Sequence, residues 1–439
     1  MWTHYPELLQ RPVPRYTSYP TAADFSASVG PDAMADALRQ IDKATPLSLY
    51  VHIPFCEEIC WYCGCNTARS NKQSRLSAYL DMLYREIEMV SALLGGRGRV
   101  QRISFGGGSP NALDALDFVR LLGDLTVAFG TENPLVSLEL DPRRLTPAWL
   151  RVIEATHVAN VSLGVQTFDP AVQQAIGRIQ PLDVIETLSR KLRGAGIQSL
   201  NFDLMYGLPG QDLTRLLDTL GHAAEMRPDR IALFGYAHVP HIVARQRRID
   251  ASALPDDADR FMMANVGHDF LVAQGYRPVG FDHFALPHDP VAIAARTHTL
   301  NRNFQGFTDD EAEHVIGLGA SAISQFPGLY AQNEKNIGAY RTAVGAGHLP
   351  VERGVMRDAE SKACGALIRA ILCHGEVALP PWLTSGQKEL LDQFAQRGLV
   401  STAMGTLRLK PAAAPYARTI AAIFDPRLGL QQGRFSAPV

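Results

Sequence analysis

Tyr50-Val51-His52-Ile53-Pro54-Phe55-Cys56-Glu57-Glu58-Ile59-Cys60-Trp61-Tyr62-Cys63-Gly64-Cys65-Asn66 is the stretch on which the reading of this chain turns. A β-prone run, Ser48–Ile53, leads into Cys56, Cys60 and Cys63, spaced C-x3-C-x2-C. Three thiolates on one short loop can each bind one iron of a [4Fe–4S] cube. Ferredoxin-type clusters use four cysteines, one per iron, so a three-cysteine loop leaves one iron open. An open iron can chelate the amino and carboxylate groups of S-adenosylmethionine, and an electron from the cluster can then break the S–C5′ bond. A structural zinc site and a cluster used only for electron transfer are the alternatives. Against zinc, Cys63 and Cys65 form a C-x-C pair that would strain to join one site with Cys60. Cys65 is therefore expected to pack within the loop and not to ligate iron.

Outward from this loop the pattern repeats. Strand-like runs at Ser48–Ile53, Arg102–Phe105, Val136–Leu140, Asn160–Val165, Ser199–Tyr206 and Arg230–Tyr236 alternate with helical patterns at Ser74–Leu94, Ala115–Phe129, Leu182–Leu192 and Leu213–Met226. A shorter helical piece, Pro170–Gly177, precedes Pro181. Strands alternating with helices indicate βαβ units and a parallel sheet. Six units predict an α/β fold, a partial (β/α)6 TIM-like barrel, with its chemistry at the C-terminal strand ends. Residues 1–45 read as an N-terminal arm over the barrel mouth and 46–345 as the barrel with its closing segments. Residues 346–439 read as a smaller, mostly helical domain. Lys388–Arg397, a hairpin around Leu399–Leu409 and a helix through Tyr416–Phe424 make it winged-helix-like, with few basic residues for DNA.

Composition narrows the function classes. The 439 residues are 46% hydrophobic and 20% charged, with a net charge of −2, which speaks against a nucleic-acid or anionic-lipid surface. No apolar run reaches the roughly 18 residues that span a bilayer, and the N-terminus lacks the marks of a targeting peptide. Four of the six cysteines crowd into residues 56–65, unlike a disulfide framework. A cytoplasmic monomer, without membrane or nucleic-acid partners, is the expectation.

Polar residues recur where strands should end. Gly106-Gly107-Gly108-Ser109-Pro110 follows the second strand, and its backbone can approach a ligand closely. Glu139 in Glu139-Leu140-Asp141-Pro142 can accept hydrogen bonds from ribose hydroxyls. Gln166 ends the fourth strand, and Arg178, beyond the next helical piece, can hold a carboxylate. Asp203 ends the fifth and Ala237 the sixth. Arg15, in Pro14-Arg15-Tyr16-Thr17-Ser18-Tyr19-Pro20-Thr21, is offered to a carboxylate of the substrate if that arm crosses the mouth. Asn303–Phe307 and Gly317–Ser324 are candidates to close the site.

These motifs together resemble the radical S-adenosylmethionine enzymes. PRYTSYPT at 14–21, FGGGSP at 105–110, LGVQTFD at 163–169, FDLMYGLPGQ at 202–211, RNFQGF at 302–307 and GLGASAIS at 317–324 resemble, within them, the oxygen-independent coproporphyrinogen III oxidases. The resemblance implies a [4Fe–4S] cluster on Cys56, Cys60 and Cys63 and two S-adenosylmethionine molecules. It assigns Tyr50, Gly106, Glu139 and Ile323 to the first, and Tyr62, Gly107, Gly108, Gln166, Arg178, Asp203 and Ala237 to the second. Ser109, where the family often has Thr, keeps a hydroxyl beside them. The implied reaction converts the ring A and B propionates of coproporphyrinogen III to vinyls, with an electron donor and a final acceptor that the sequence does not name. A sister radical enzyme (methyl transfer or haem ring opening) and a haem-delivery protein using His52 or His238 are the competing readings.

Overall fold

The computed structural model describes residues 1–70 and 72–430. Residues 431–439 of the expected C-terminal domain lie outside the described residues.

Alternation along the strands sorts the sheet into two unlike faces. The six expected strands are β1 (Pro46–Ile53), β2 (Arg99–Gly107), β3 (Leu135–Leu140), β4 (Asn160–Gln166), β5 (Ser199–Tyr206) and β6 (Arg230–Gly235). Val136, Leu138, Leu163, Leu200, Phe202 and Leu204 are buried and belong to the large apolar core. Fully burying such a side chain is worth ~1.5–3 kcal/mol. Ser137, Glu139, Ser162, Asn201 and Asp203 alternate with them and point the other way, into a polar cavity of about 280 Å³.

Parallel strands need long crossovers. Helices supply them: α1 (Gln73–Leu94), α2 (Ala115–Ala128), α3 (Pro147–Ala155), α4 (Leu182–Gly194), α5 (Leu213–Met226) and, after β6, α6 (Asp257–Ala273). Some of their N-termini are capped by side chains. Asp114, Asp212 and Asp256 cap α2, α5 and α6, and Thr146 accepts from Trp149 N–H at the start of α3. α3 fills a gap between strands as the alternation predicts, and Thr146-Pro147 is its helix-start signal.

β1 to β6 lie side by side in chain order, every neighbouring pair parallel. Both edges are extended by strands that the sequence reading did not name. Beyond β6 come β7 (Arg277–Val279) and β8 (His283–Ala285), in the order β6-β8-β7 and antiparallel. Beside β1 lies β9 (His314–Leu318), a seventh parallel strand. It is followed outward by antiparallel β10 (Ile323–Phe326), β11 (Leu329–Asn333) and β12 (Val351–Met356). Gly317–Ser324, a candidate to close the site, comprises the end of β9, the turn and the start of β10.

The C-terminal segment holds α7 (Ala359–His374), β13 (Glu376–Ala378), α8 (Ser385–Gln396), β14 (Val400–Ser401), β15 (Thr406–Leu409) and α9 (Ala417–Ala422). Its three strands form a separate antiparallel sheet in the order β13-β15-β14. Leu391, Phe394, Leu407, Ile420 and Phe424 make a second core, into which Leu8, Val13, Tyr16 and Tyr19 insert. The two ends of the chain therefore share one apolar cluster. Among the described residues no helix is long and apolar enough to cross a membrane.

Candidate active site

β1 delivers the cysteine loop to the C-terminal edge of the sheet. Cys60 is buried, Cys56 and Cys63 are half-buried and Cys65 is exposed. Backbone bonds fix the loop: Ala68 N–H to Pro54 O at 2.8 Å, Ser70 N–H to Cys56 O at 2.9 Å and Trp61 N–H to Ile176 O at 3.1 Å. Two guanidiniums converge on Cys60. Arg178 Nη1 donates to its Sγ at 3.1 Å and Arg143 Nη2 at 3.5 Å. Asp141 links the two, 2.6 Å from Arg143 Nη2 and 3.3 Å from Arg178 Nη2. Burial alone would lower the affinity of Arg178 for its proton. The opposing groups Tyr62, Asp141 and Cys60 outweigh burial and raise it. Burial, and then the neighbouring Cys63, pushes the Cys56 thiol up to about 12. Hydrogen bonds from Cys65 pull Cys63 down to about 6.

The loop chemistry fits a cube. A cube places each thiolate on a different iron, and cationic donors aimed at Cys60 suit a ligand sulfur that stays negative.

A cavity of about 310 Å³ opens beside the loop. Tyr50, Gly107, Glu139 and Ile323 line it together with Cys65 and Gln305. This joins three of the four residues expected around the first nucleoside. Gly106, the fourth, packs directly against Glu139: a Cβ there would collide with its carboxylate. Gly107 has φ +105° and lies against the His52 ring, and a Cβ on Gly108 would strike the Phe55 backbone. Glu139 is exposed to the cavity yet ringed by protein. Burial first, and then the Asp203 charge, raises its carboxyl to about 7, while the Gly107 N–H and Gln305 oppose the rise.

The cavity wall is braced from α1. Glu86 is 1% exposed and accepts from Gly319 N–H at 2.7 Å, Asn333 Nδ2 at 2.6 Å and Tyr340 OH at 2.7 Å. Tyr79 OH donates to His52 O at 2.7 Å and accepts from Ala320 N–H at 3.0 Å. The β9–β10 turn carrying Ile323 is thereby tied to β1.

The second expected set is only partly gathered. Gln246 Nε2 donates to both Tyr62 O (2.9 Å) and Ala237 O (3.1 Å). Arg178 Nε reaches Gly164 O at 3.1 Å, next to Gln166, whose φ of +68° is rare for a non-glycine residue. Asp203 stands apart in the polar cavity, held by Ser162 Oγ and Asn201 Nδ2 at 2.9 Å each. Ser109 is buried and engaged elsewhere. Its Oγ accepts from Asp141 N–H at 2.8 Å and donates to Asn111 Oδ1, tying the exits of β2 and β3 together. His52 is buried with ring partners Tyr50 OH and Asn66 O at 3.2 Å each, so it presents no exposed haem ligand.

Arg15 lies at a strand exit. Arg15 Nη2 donates to Gly235 O at 3.2 Å, at the end of β6. Arg302 donates to Arg15 O at 3.0 Å and Tyr16 O at 3.2 Å. Tyr16 OH and Tyr19 OH take the two oxygens of Asp425 at 2.9 and 3.0 Å. Sequence reasoning passed over Arg143, Gln246 and Arg302. Arg143 follows Asp141-Pro142 directly, but in an Arg-Arg pair that reads as solvated. Arg302 opens the RNFQGF motif at 302–307.

The model of the radical SAM superfamily matches residues 50–223. The oxygen-independent coproporphyrinogen III oxidase of Bradyrhizobium diazoefficiens is 41% identical, over 82% of this chain and 81% of its own length. That of Pseudomonas aeruginosa is 38% identical, over 96% and 95%. A solved structure of coproporphyrinogen III oxidase from Escherichia coli, described as a radical SAM enzyme, is 34% identical and superposes with a TM-score of 0.90 over 97% of this chain and 99% of that one. The chain belongs to the radical SAM superfamily and, within it, to the oxygen-independent coproporphyrinogen III oxidases.

Proposed function

We propose that this chain oxidatively decarboxylates the ring A and ring B propionates of coproporphyrinogen III to vinyls, giving protoporphyrinogen IX without oxygen. The observation that carries the reading is likeness to enzymes of that name along nearly the whole chain, arm included. The superfamily's cofactors are a [4Fe–4S] cluster and S-adenosylmethionine. When bound, they supply a 5′-deoxyadenosyl radical able to take an unactivated propionate β-hydrogen, which no acid–base pair removes.

The chain's own residues aim and shield that chemistry. Cys56, Cys60 and Cys63 hold the cluster, and Arg178 and Arg143 support the charge on Cys60. Tyr50, Gly106, Glu139 and Ile323 hold one S-adenosylmethionine. Tyr62, Gly107, Gly108, Gln166, Arg178, Asp203 and Ala237 serve a second, with Ser109 bracing the loop behind them. The sharing of Gln246 between Tyr62 and Ala237 supports the second set. Each decarboxylation releases CO2 and one further electron, taken by a separate acceptor. A separate donor reduces the cluster. β1 to β6 with their helices are read as a partial (β/α)6 barrel (46–345), with an arm (1–45) and a winged-helix-like domain (346–439). The protein is read as a cytoplasmic monomer without membrane or nucleic-acid partners.

The test is anaerobic turnover. Cluster-loaded, reduced protein is given S-adenosylmethionine and coproporphyrinogen III, and deoxyadenosine, CO2 and protoporphyrin are followed. Vinyl product with deoxyadenosine, both lost in Cys60→Ala, is the expected result. Deoxyadenosine alone would move the substrate elsewhere. Neither product from protein of verified cluster content would end the enzymatic reading.

A further inference from the structure

A second pocket lies at the exits of β5 and β6, four and five strands from β1 in the sheet. Arg15 from the arm, Arg260 from α6 and Arg418 from α9 line it with Trp2, Tyr206 and Asp282. Among the described lining residues, Asp282 is the carboxylate beside these guanidiniums. That carboxylate is itself engaged, Asp282 Oδ1 lying 2.7 Å from His283 Nδ1. Arg418 is 8% exposed, and its Nη1 is buried without a hydrogen-bond partner. A buried, unpaired guanidinium N–H is costly unless something anionic arrives. Burial, and then the Arg15 charge, draws Arg418 down to about 10, as such a vacancy of partners should. The cavity volume, about 50 Å³, suits a carboxylate-bearing arm.

We propose that Arg15, Arg260 and Arg418 form a carboxylate-recognition pocket that anchors a propionate of the substrate other than the one being oxidised. The inference rests on the decarboxylase reading. The planar guanidinium fork matches a carboxylate and fixes orientation as well as charge. A site far along the sheet from the cysteine loop can hold one edge of a tetrapyrrole while another edge faces the cluster. The pocket takes one arginine from the N-terminal arm and one from the C-terminal segment. Both chain ends would then serve specificity.

The experiment measures anaerobic binding of coproporphyrin III and of its uncharged tetra-amide to the cluster-loaded protein, read by tryptophan-fluorescence quenching. In the parent the acid should bind at least tenfold more tightly than the amide, as charge-assisted pairs predict. Arg418→Gln and Arg260→Gln should each weaken acid binding by roughly tenfold to a hundredfold and shrink the acid–amide ratio. Arg418→Lys should recover part of the loss. Should Arg418→Gln fail to fold, the half-buried Arg260 decides alone. An undiminished ratio in folded Arg260→Gln and Arg418→Gln would overturn the proposal, as would a parent that binds acid and amide alike. A parent that turns over coproporphyrinogen without this discrimination sinks the pocket and spares the decarboxylase. A guanidinium-dependent ratio without turnover does the reverse.

Discussion

Replacing Arg178 by Met should make the cluster harder to reduce. The guanidinium Nη1 is 3.1 Å from Cys60 Sγ and almost wholly buried. Its removal leaves Arg143 and Asp141 as a neutral pair, so the local charge falls by one. The electron added on reduction spreads over the cube. Taking about 6 Å from the guanidinium to that charge and an effective dielectric of about 20, the lost attraction is about 3 kcal/mol. For a one-electron couple this corresponds to ~120 mV. Water entering the vacated space trims the effect, so a shift of about 50–120 mV to more negative potential is expected. Arg178→Lys keeps the charge and should move far less. The assay is an EPR-monitored redox titration of reconstituted protein, with iron and sulfide matched to the parent. A shift below about 20 mV at full cluster content, or one of positive sign, would refute the placement of Arg178 against a ligand sulfur.

Glu139→Gln should flatten the pH dependence of S-adenosylmethionine binding. The fold raises this carboxyl to about 7, so the ionised acceptor is lost from about pH 8 to about pH 6 in the parent and cannot be lost in the amide; anaerobic calorimetry at both pH values checks it. Glu86→Ala strands at least two buried donors, on Gly319 and Tyr340, and should cost about 2–6 kcal/mol, read as a lowered urea midpoint. In the parent, burial raises Glu86 to about 7, so stability falls as pH rises from about 4.5 through about 7 and is level above. Asp425→Ala leaves the Tyr16 and Tyr19 hydroxyls without their acceptor. It should loosen the arm by about 2–4 kcal/mol, visible as faster proteolysis within residues 11–21.

The parallel core was legible because its signals are local. From β2 to β5 each β-prone run meets a helix within about seven residues, and Asp114, Asp212 and the cysteine spacing all act over short distances. The edges were not. β9 is a five-residue run ending in Gly317-Leu318-Gly319, where glycine reads as turn. Its pairing with Leu47–Val51 on one side and with β10 on the other makes it a strand. One signal for the cavity was present and unused. Polar residues recur at every second position, as in Ser137 and Glu139 or Asn201 and Asp203. Parallel strands buried between helices on both faces are apolar throughout, so this alternation already marks a sheet face turned to a polar interior. Arg260 and Arg418 carried no such mark. Single arginines on helices are usually solvated, and only the docking of both chain ends buries Arg418.

That docking gives the fold a division of labour. The three cysteines and the residues assigned to the first nucleoside lie on β1 to β3, the cysteine loop and the start of β10, braced by Glu86 and Tyr79 from one helix. These contacts lie within the sheet and its own crossovers, which is the part that radical enzymes of unlike substrates could share. The arm and the C-terminal segment contribute little to that half. They meet each other instead, through Tyr16, Tyr19 and Asp425, and they close over β5 and β6. Arg302 binds the arm backbone while its guanidinium lies 4.3 Å from the Phe307 ring centroid, so the segment after β8 joins the same closure. A chain built this way can keep its radical chemistry fixed while the identity of the substrate is set by the pieces that cover the far strands. The arginines of those pieces, and not further residues around the cysteines, are therefore where selectivity for a polycarboxylate should reside.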